Sequence, residues 1–96
     1  MTRAQVLQQL SASKADLGAR FGVTSLALFG SVARDRARDD SDVDVLVSFD
    51  GPATSERFFG VQFFLEDLLG RPVDLVTDKG LRSKLRQSIE REAVRV

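Results

Sequence analysis

The stretch LFGSVARDRARDDSDVDVLV, from Leu28 to Val47, decides the fold. It joins two apolar runs through a glycine-serine pair and a charged loop. The second run opens with Asp42 and Asp44, twelve and fourteen residues after Gly30. Residues i and i+2 of a strand point to the same face, with Cα atoms ~6.6 Å apart. The two carboxylates are therefore predicted to project together.

A third acid, Asp74, begins another apolar run, VDLV. If its strand lies beside the second strand, ~4.8 Å away, three carboxylates converge. Such a cluster resists full ionisation, and a divalent cation removes that cost. Mg²⁺ prefers carboxylate and phosphate oxygens. Two such ions can bind both the attacking and the leaving oxygen of a phosphoryl displacement. Taken singly, each acid is equally consistent with an exposed strand end or turn.

The glycine-serine pair predicts a phosphate contact. Gly30 follows a buried strand, where it lets the backbone approach a phosphate closely. The N–H groups of a following helix favour an anion, and Ser31 adds a hydroxyl donor. The loop is neither a Walker A loop nor a G-x-G-x-x-G motif. Arg34, one turn further, could steady a triphosphate, although charge balance against Asp35 explains it equally well.

Composition narrows the chemistry. The 96 residues suit one domain over 1–96. The chain has no Cys, His, Tyr or Trp, which excludes disulfides, zinc sites of Cys or His, and imidazole bases. Net charge is zero, but residues 21–78 carry five basic and eleven acidic residues. Without a broad basic face, direct nucleic-acid binding is not expected. Neither a signal peptide nor a membrane span is predicted, which favours a cytoplasmic location.

Periodicity predicts alternating elements. Apolar residues at helical or alternating spacing, bounded by caps, glycines and prolines, define them. The fold class is α/β (α+β), in the order α-β-α-β-α-β-α, with a small mixed sheet and helices packed on one face. The predicted helices are 3–21, 32–37, 55–69 and 80–93, the predicted strands are 26–29, 43–49 and 73–77, and 94–96 adds a few extended residues.

The 55–69 helix carries more apolar surface than one face can bury. The aromatic residues outside its core stripe are either covered by neighbouring elements or form a contact surface. Gly60 costs ~1 kcal/mol relative to Ala inside a helix, which favours close packing there. The predicted core stripe is Phe58, Leu65, Leu68 and Leu69, and the residues outside it are Phe59, Phe63 and Phe64.

Gly30-Ser31, then ten residues, then Asp42-Val43-Asp44-Val45 resembles the signature of the DNA polymerase β-like nucleotidyltransferase superfamily. With Asp74 as third acid in fewer than 100 residues, the chain is similar to the minimal nucleotidyltransferase (MNT) family. The stretches Arg57 to Thr77 and Leu81 to Val94 also resemble that group. The resemblance covers most of the chain, and the glycine-serine with the spaced aspartates is its most specific part.

The resemblance implies a nucleotidyltransferase-like fold and an activity. Such proteins are commonly encoded beside a HEPN-domain toxin and act as its antitoxin in a type VII-like pair. Members transfer AMP from ATP to a tyrosine of that toxin. By this resemblance Asp42 and Asp44 bind the metals, two Mg²⁺ ions, and Asp74 completes the site and receives the acceptor's proton. Gly30 and Ser31 would hold the β- and γ-phosphates.

Two other functions stay open. The chain could be a non-catalytic antitoxin that masks its partner by binding alone, but the retention of three acids argues against this. It could be a small-molecule nucleotidyltransferase subunit, but no part of the chain resembles an acceptor domain. Self-association is compatible with each function. Because the chain has no tyrosine, a tyrosine acceptor must come from another protein.

Overall fold

The computed structural model describes residues 2–36, 41–80 and 83–96, without the side chains of 83–86. Helices and strands alternate through these ranges, as the sequence predicts. The helices are α1 (Arg3–Phe21), α2 (Gly30–Ala33), α3 (Ser55–Leu69) and α4 (Ser83–Glu92), and the strands are β1 (Val23–Phe29), β2 (Val43–Phe49), β3 (Val73–Thr77) and β4 (Val94–Arg95).

The bounds of α1, β2, α3 and β3 are those predicted from the sequence. Helix α1 begins in a capping box between Thr2 and Gln5 and ends at Gly22, whose φ of 74° is left-handed. Strand β1 starts three residues before the predicted strand. Helix α2 is shorter than predicted and starts two residues earlier, because the chain turns at Gly30 and Asp35 takes a left-handed φ of 57° just after the helix.

The four strands form one mixed sheet in the order β3-β2-β1-β4. Strand β1 runs antiparallel to both β2 and β4, whereas β2 and β3 are parallel. In the parallel pair, Val43 lies opposite Val73 and Asp44 lies opposite Asp74. The small mixed sheet predicted from the sequence is thereby confirmed, and the starts of β2 and β3 lie at the same edge of the sheet.

Helices α1 and α3 cover one face of the sheet, in a core that includes Leu10, Leu65 and Val45. Helix α4 lies on the opposite face, where Ile89 packs with Ala27 and Leu46. This position refines the expectation that helices pack on one face. Strand β1 is central and apolar on both faces, as predicted, so its second face also needs cover.

Helix α3 buries Val61, Leu65 and Leu69 against the sheet. Leu68, predicted to lie in the core, is 39% exposed, because this stripe of every fourth residue leaves it at the side of the helix. The prediction for Gly60 is confirmed: a Cβ there would overlap the ring of Phe21 on α1. No helix among the described residues is long and apolar enough to span a membrane.

Candidate active site

Three acidic residues lie at the edge where β2 and β3 begin. Asp42 immediately precedes β2, and Asp44 and Asp74 are register partners within the parallel pair. Since side chains alternate along a strand, Asp44 shares its face with Leu46, on the side of the sheet that α4 covers. Asp42 and Asp74 are exposed and Asp44 is half-buried. The acids therefore open to solvent at one end of that face.

The backbone around these acids is held by the turn between α3 and β3. The N–H of Val43 donates to the carbonyl of Pro72, with N and O 2.9 Å apart. The guanidinium of Arg71 donates to the carbonyl of Ser41 at 2.7 Å. The N–H of Val73 donates to a carboxylate oxygen of Glu66 at 3.1 Å. These contacts fix the start of β2 relative to the start of β3.

Asp44 and Asp74 lie opposite each other in the parallel pair, where a hydrogen bond between their carboxyl groups needs one of them to be protonated. Burial is the largest cause that raises the pKa of Asp44, to about 6 from an ordinary value of 3.8. The negative charges of Asp74 and Asp42 and the hydrogen bond itself raise this pKa further, and the charge of Arg34 opposes them. Asp44 therefore retains a proton well above the usual range of a carboxylic acid.

Gly30 lies directly against Asp44. Its φ is 74°, and a Cβ at this position would overlap the Asp44 carboxylate. The neighbouring Phe29 is the register partner of Asp44 across β1 and β2. The sequence pattern assigned Gly30 to a phosphate approach, but did not predict this packing. Glycine is needed here for both its conformation and its lack of a side chain.

Helix α2 starts at the same place. Gly30 and Ser31 are its first two residues, and its N-cap, Phe29, makes no side-chain capping bond. No capping side chain therefore competes with a ligand for the first N–H groups of the helix. Ser31 is half-buried, and its carbonyl accepts a hydrogen bond from the N–H of Arg36 at 2.9 Å. The predicted phosphate loop and the predicted acids thus occupy one edge of the sheet.

Arg34 ends α2 and forms an ion pair with Glu92 on α4, with N and O 3.0 Å apart. The side chains are 50% and 41% exposed. Arg34 also acts electrostatically on Asp44, so its charge lies beside the acids. Sequence analysis missed Glu92, because only the tertiary position of α4 brings it to α2. Arg34 is near the site, as predicted, but its guanidinium already has a carboxylate partner.

The acids converge only in part. Asp44 and Asp74 meet, and Asp42 contributes through its charge. Within residues 2–36, 41–80 and 83–96, no three side chains of the types that bind metals are arranged to hold an ion. We expected all three carboxylates to converge, but in this structure only Asp44 and Asp74 lie side by side. The available ligands are nonetheless carboxylate oxygens, which suit Mg²⁺, and a cation could replace the proton that the raised pKa keeps on Asp44.

Three comparisons place the chain among known proteins. Residues 10–96 match the family model of the nucleotidyltransferase domain. The chain is 40% identical over 96 residues to the protein adenylyltransferase MntA of Thermococcus cleftensis, spanning 100% of this chain and 97% of that protein. A solved structure assigned as a minimal nucleotidyltransferase superposes with a TM-score of 0.84 at 39% identity, covering 98% of this chain and 95% of the other.

A fourth likeness concerns the fold alone. The structure of a tri-AMPylated Shewanella oneidensis HEPN toxin in complex with an MNT antitoxin contains a chain that superposes with a TM-score of 0.70 at 17% identity. The match covers 98% of this chain and 71% of that chain.

Proposed function

The chain belongs to the nucleotidyltransferase domain family, and we propose that it transfers AMP from ATP to a tyrosine hydroxyl of a HEPN-domain partner. It would thereby act as the antitoxin of a type VII-like pair. The observation that carries this proposal is the position of Asp44, which lies opposite Asp74 and packs against Gly30 at the start of α2. One edge of the sheet then offers both a place for phosphates and acids for the transfer.

The similar proteins support a protein as the acceptor. The relative that is 40% identical is a protein adenylyltransferase, and it matches over the whole of this chain. The more distant fold relative is an antitoxin bound to an AMPylated HEPN toxin. The acceptor tyrosine must lie outside this sequence, which contains none. Because the reaction uses ATP, a cytoplasmic location is proposed with it.

The reaction balances without a covalent enzyme intermediate. The acceptor's hydroxyl oxygen forms a bond to the α-phosphorus of ATP, and the bond from that phosphorus to the bridging oxygen breaks. Pyrophosphate leaves with the bonding electrons. The hydroxyl proton passes to a carboxylate, for which the exposed Asp74 is our candidate. Gly30 and Ser31 would hold the β- and γ-phosphates through backbone N–H groups and the serine hydroxyl.

Asp42, Asp44 and Asp74 would hold Mg²⁺. A bound cation supplies positive charge that offsets the charge developing on the phosphate oxygens. For this, Asp44 must lose its proton, and Asp42 must approach both Asp44 and Asp74. Arg34 could then turn from Glu92 toward the triphosphate, since both side chains of that ion pair are about half exposed.

Mass spectrometry tests this function. The full chain, Mg²⁺ and ATP are incubated with the HEPN protein encoded next to it, and the partner's tryptic peptides are analysed. The expected result is an added AMP on a partner tyrosine, which is lost with Asp74→Asn although the complex still forms. A stable complex without any added nucleotide would favour the masking antitoxin. Label on a small molecule alone would favour the small-molecule transferase.

A further inference from the structure

An aromatic groove lies between α1 and α3. Phe59 is 49% exposed and Phe63 is 61% exposed, and their rings stack with centroids 6.3 Å apart. Beside them is an open depression of about 560 Å³, lined in part by Gly60, Phe63 and Leu68. We call Phe59 and the lining of this depression the aromatic groove. Large exposed apolar patches usually mark sites where another molecule binds.

The groove carries one charge of each sign. The Arg20 guanidinium carbon lies 5.3 Å from the ring centroids of both Phe21 and Phe64, which hold the cation on the groove wall. Asp67 lines the same depression. In the described part of the chain, neither Arg20 nor Asp67 forms an ion pair. Each is therefore available to an opposite charge on a partner.

We infer that the aromatic groove is a two-fold interface between two copies of this chain. A two-fold contact uses the same patch on both subunits, so the patch must complement itself. Arg20 of one copy faces Asp67 of the other, and the symmetry repeats this pair. Phe63 is more exposed than Phe59 and Leu68, the other exposed large apolar side chains of the described residues. It lies between the two pairs and is covered by its counterpart.

The position of the groove favours a second copy over the acceptor protein. Helix α3 covers the face of the sheet opposite to the one that carries Asp44. Its exposed phenylalanines lie on the far side of the sheet from Asp44, so a protein docked on them would sit away from the acids. A dimer through the groove instead leaves both acid sites open to their acceptors.

Sedimentation velocity of the full chain at increasing concentration tests the inference. Each copy offers only a few exposed large apolar side chains, so we expect a reversible dimer with a Kd of roughly 10–100 μM. Phe63→Ser should weaken it at least tenfold, because the largest apolar contact is lost. Arg95→Glu, an exposed charge on β4 at the sheet edge, is the matched control and should leave the dimer unchanged. A chain that stays monomeric at several times that concentration overturns the inference.

A charge exchange separates this interface from general stickiness. Asp67→Arg places two arginines against each other and should abolish the dimer. Arg20→Asp combined with Asp67→Arg restores opposite charges across the two-fold axis and should recover at least part of the affinity. Melting curves show whether each variant is folded. If the folded double variant dimerises no better than Asp67→Arg alone, the proposed pairing is wrong.

Discussion

Asp44 and Asp74 are register partners on the parallel strands β2 and β3, and the charge of Asp74 helps to raise the pKa of Asp44. Burial and the neighbouring acids therefore keep a proton on Asp44 up to about pH 6. Gly30, which has no side chain, packs against Asp44. This contact links the loop proposed for phosphate to the acids proposed for transfer.

Asp44→Asn should stabilise the metal-free protein at pH 7.5. The raised pKa means that the ionised carboxylate costs folding free energy, of about 1 kcal/mol after allowance for its partial exposure. The melting temperature should rise by roughly 4–8 °C. Asp16→Asn, an exposed acid on α1, is the control and should change little. A variant that melts well below the wild type would show that Asp44 is structural.

The same pKa gives a pH dependence. Between pH 3.8 and about 6 the folded chain binds the Asp44 proton more tightly than the unfolded chain. The contribution of this group to stability is therefore full below pH 3.8 and is lost as pH rises through about 6. The advantage of Asp44→Asn should accordingly be largest above pH 6 and shrink toward pH 4, as measured by urea unfolding at each pH. A constant advantage would contradict the raised pKa.

Gly30→Ala should both destabilise the fold and stop transfer. The left-handed φ costs an alanine about 1–2 kcal/mol, and the overlap with Asp44 adds about 1–3 kcal/mol. Gly70→Ala is the matched control, since Gly70 has a φ of 66° but no atom near its would-be Cβ. It should show only the first cost and stay active. Equal losses in the two variants would mean that the contact with Asp44 is unimportant.

The sequence predicted a set of site residues but not how they contact one another. The alternation from Val43 to Phe49 was enough to predict β2 and the common face of Asp42 and Asp44. That β3 lies beside β2 in register could only be assumed, because no local pattern specifies strand pairing. Glu92 had no signal, since its contact with Arg34 depends on which face α4 covers.

The aromatic residues of α3 show the same limit. Hydrophobicity predicted the helix and a surplus of apolar surface, and Phe59 and Phe63 are indeed exposed. The core stripe was partly wrong, because side chains on α1, including Phe21 against Gly60, set the rotation of α3. Burial in a helix pair is decided by the neighbour's shape, which a single sequence does not display.

Glu92→Gln should tighten ATP binding. If Arg34 binds phosphate as proposed, Glu92 competes for its guanidinium. An exposed ion pair contributes less than ~1 kcal/mol to stability. We expect a two- to fivefold lower Kd for ATP with an unchanged melting temperature, measured by calorimetry. Arg34→Gln should have the opposite effect on ATP binding. If Glu92→Gln weakens ATP binding as much as Arg34→Gln, the ion pair positions the arginine rather than withholding it.

ATP binding should require a divalent cation. The acids repel a triphosphate unless a cation neutralises them, and Asp44 must also release its proton. Titration calorimetry in Mg²⁺ should give measurable affinity. At pH 5.5 the measured heat should differ between buffers of different ionisation enthalpy, because binding releases a proton. In EDTA the affinity should fall at least tenfold. Equal affinity in the two conditions would remove the metal from the proposal.

The position of the label carried from ATP to the partner protein tests the central claim most directly. The full chain and its HEPN partner are incubated with Mg²⁺ and ATP labelled at either the α- or the γ-phosphorus, and protein is separated from nucleotide. Nucleotidyl transfer predicts stable label on the partner from α-labelled ATP only, with γ label recovered in pyrophosphate. Asp44→Asn and Asp74→Asn should give none while remaining folded. Label from the γ-phosphorus, or no label on the partner in a stable complex, would contradict the account.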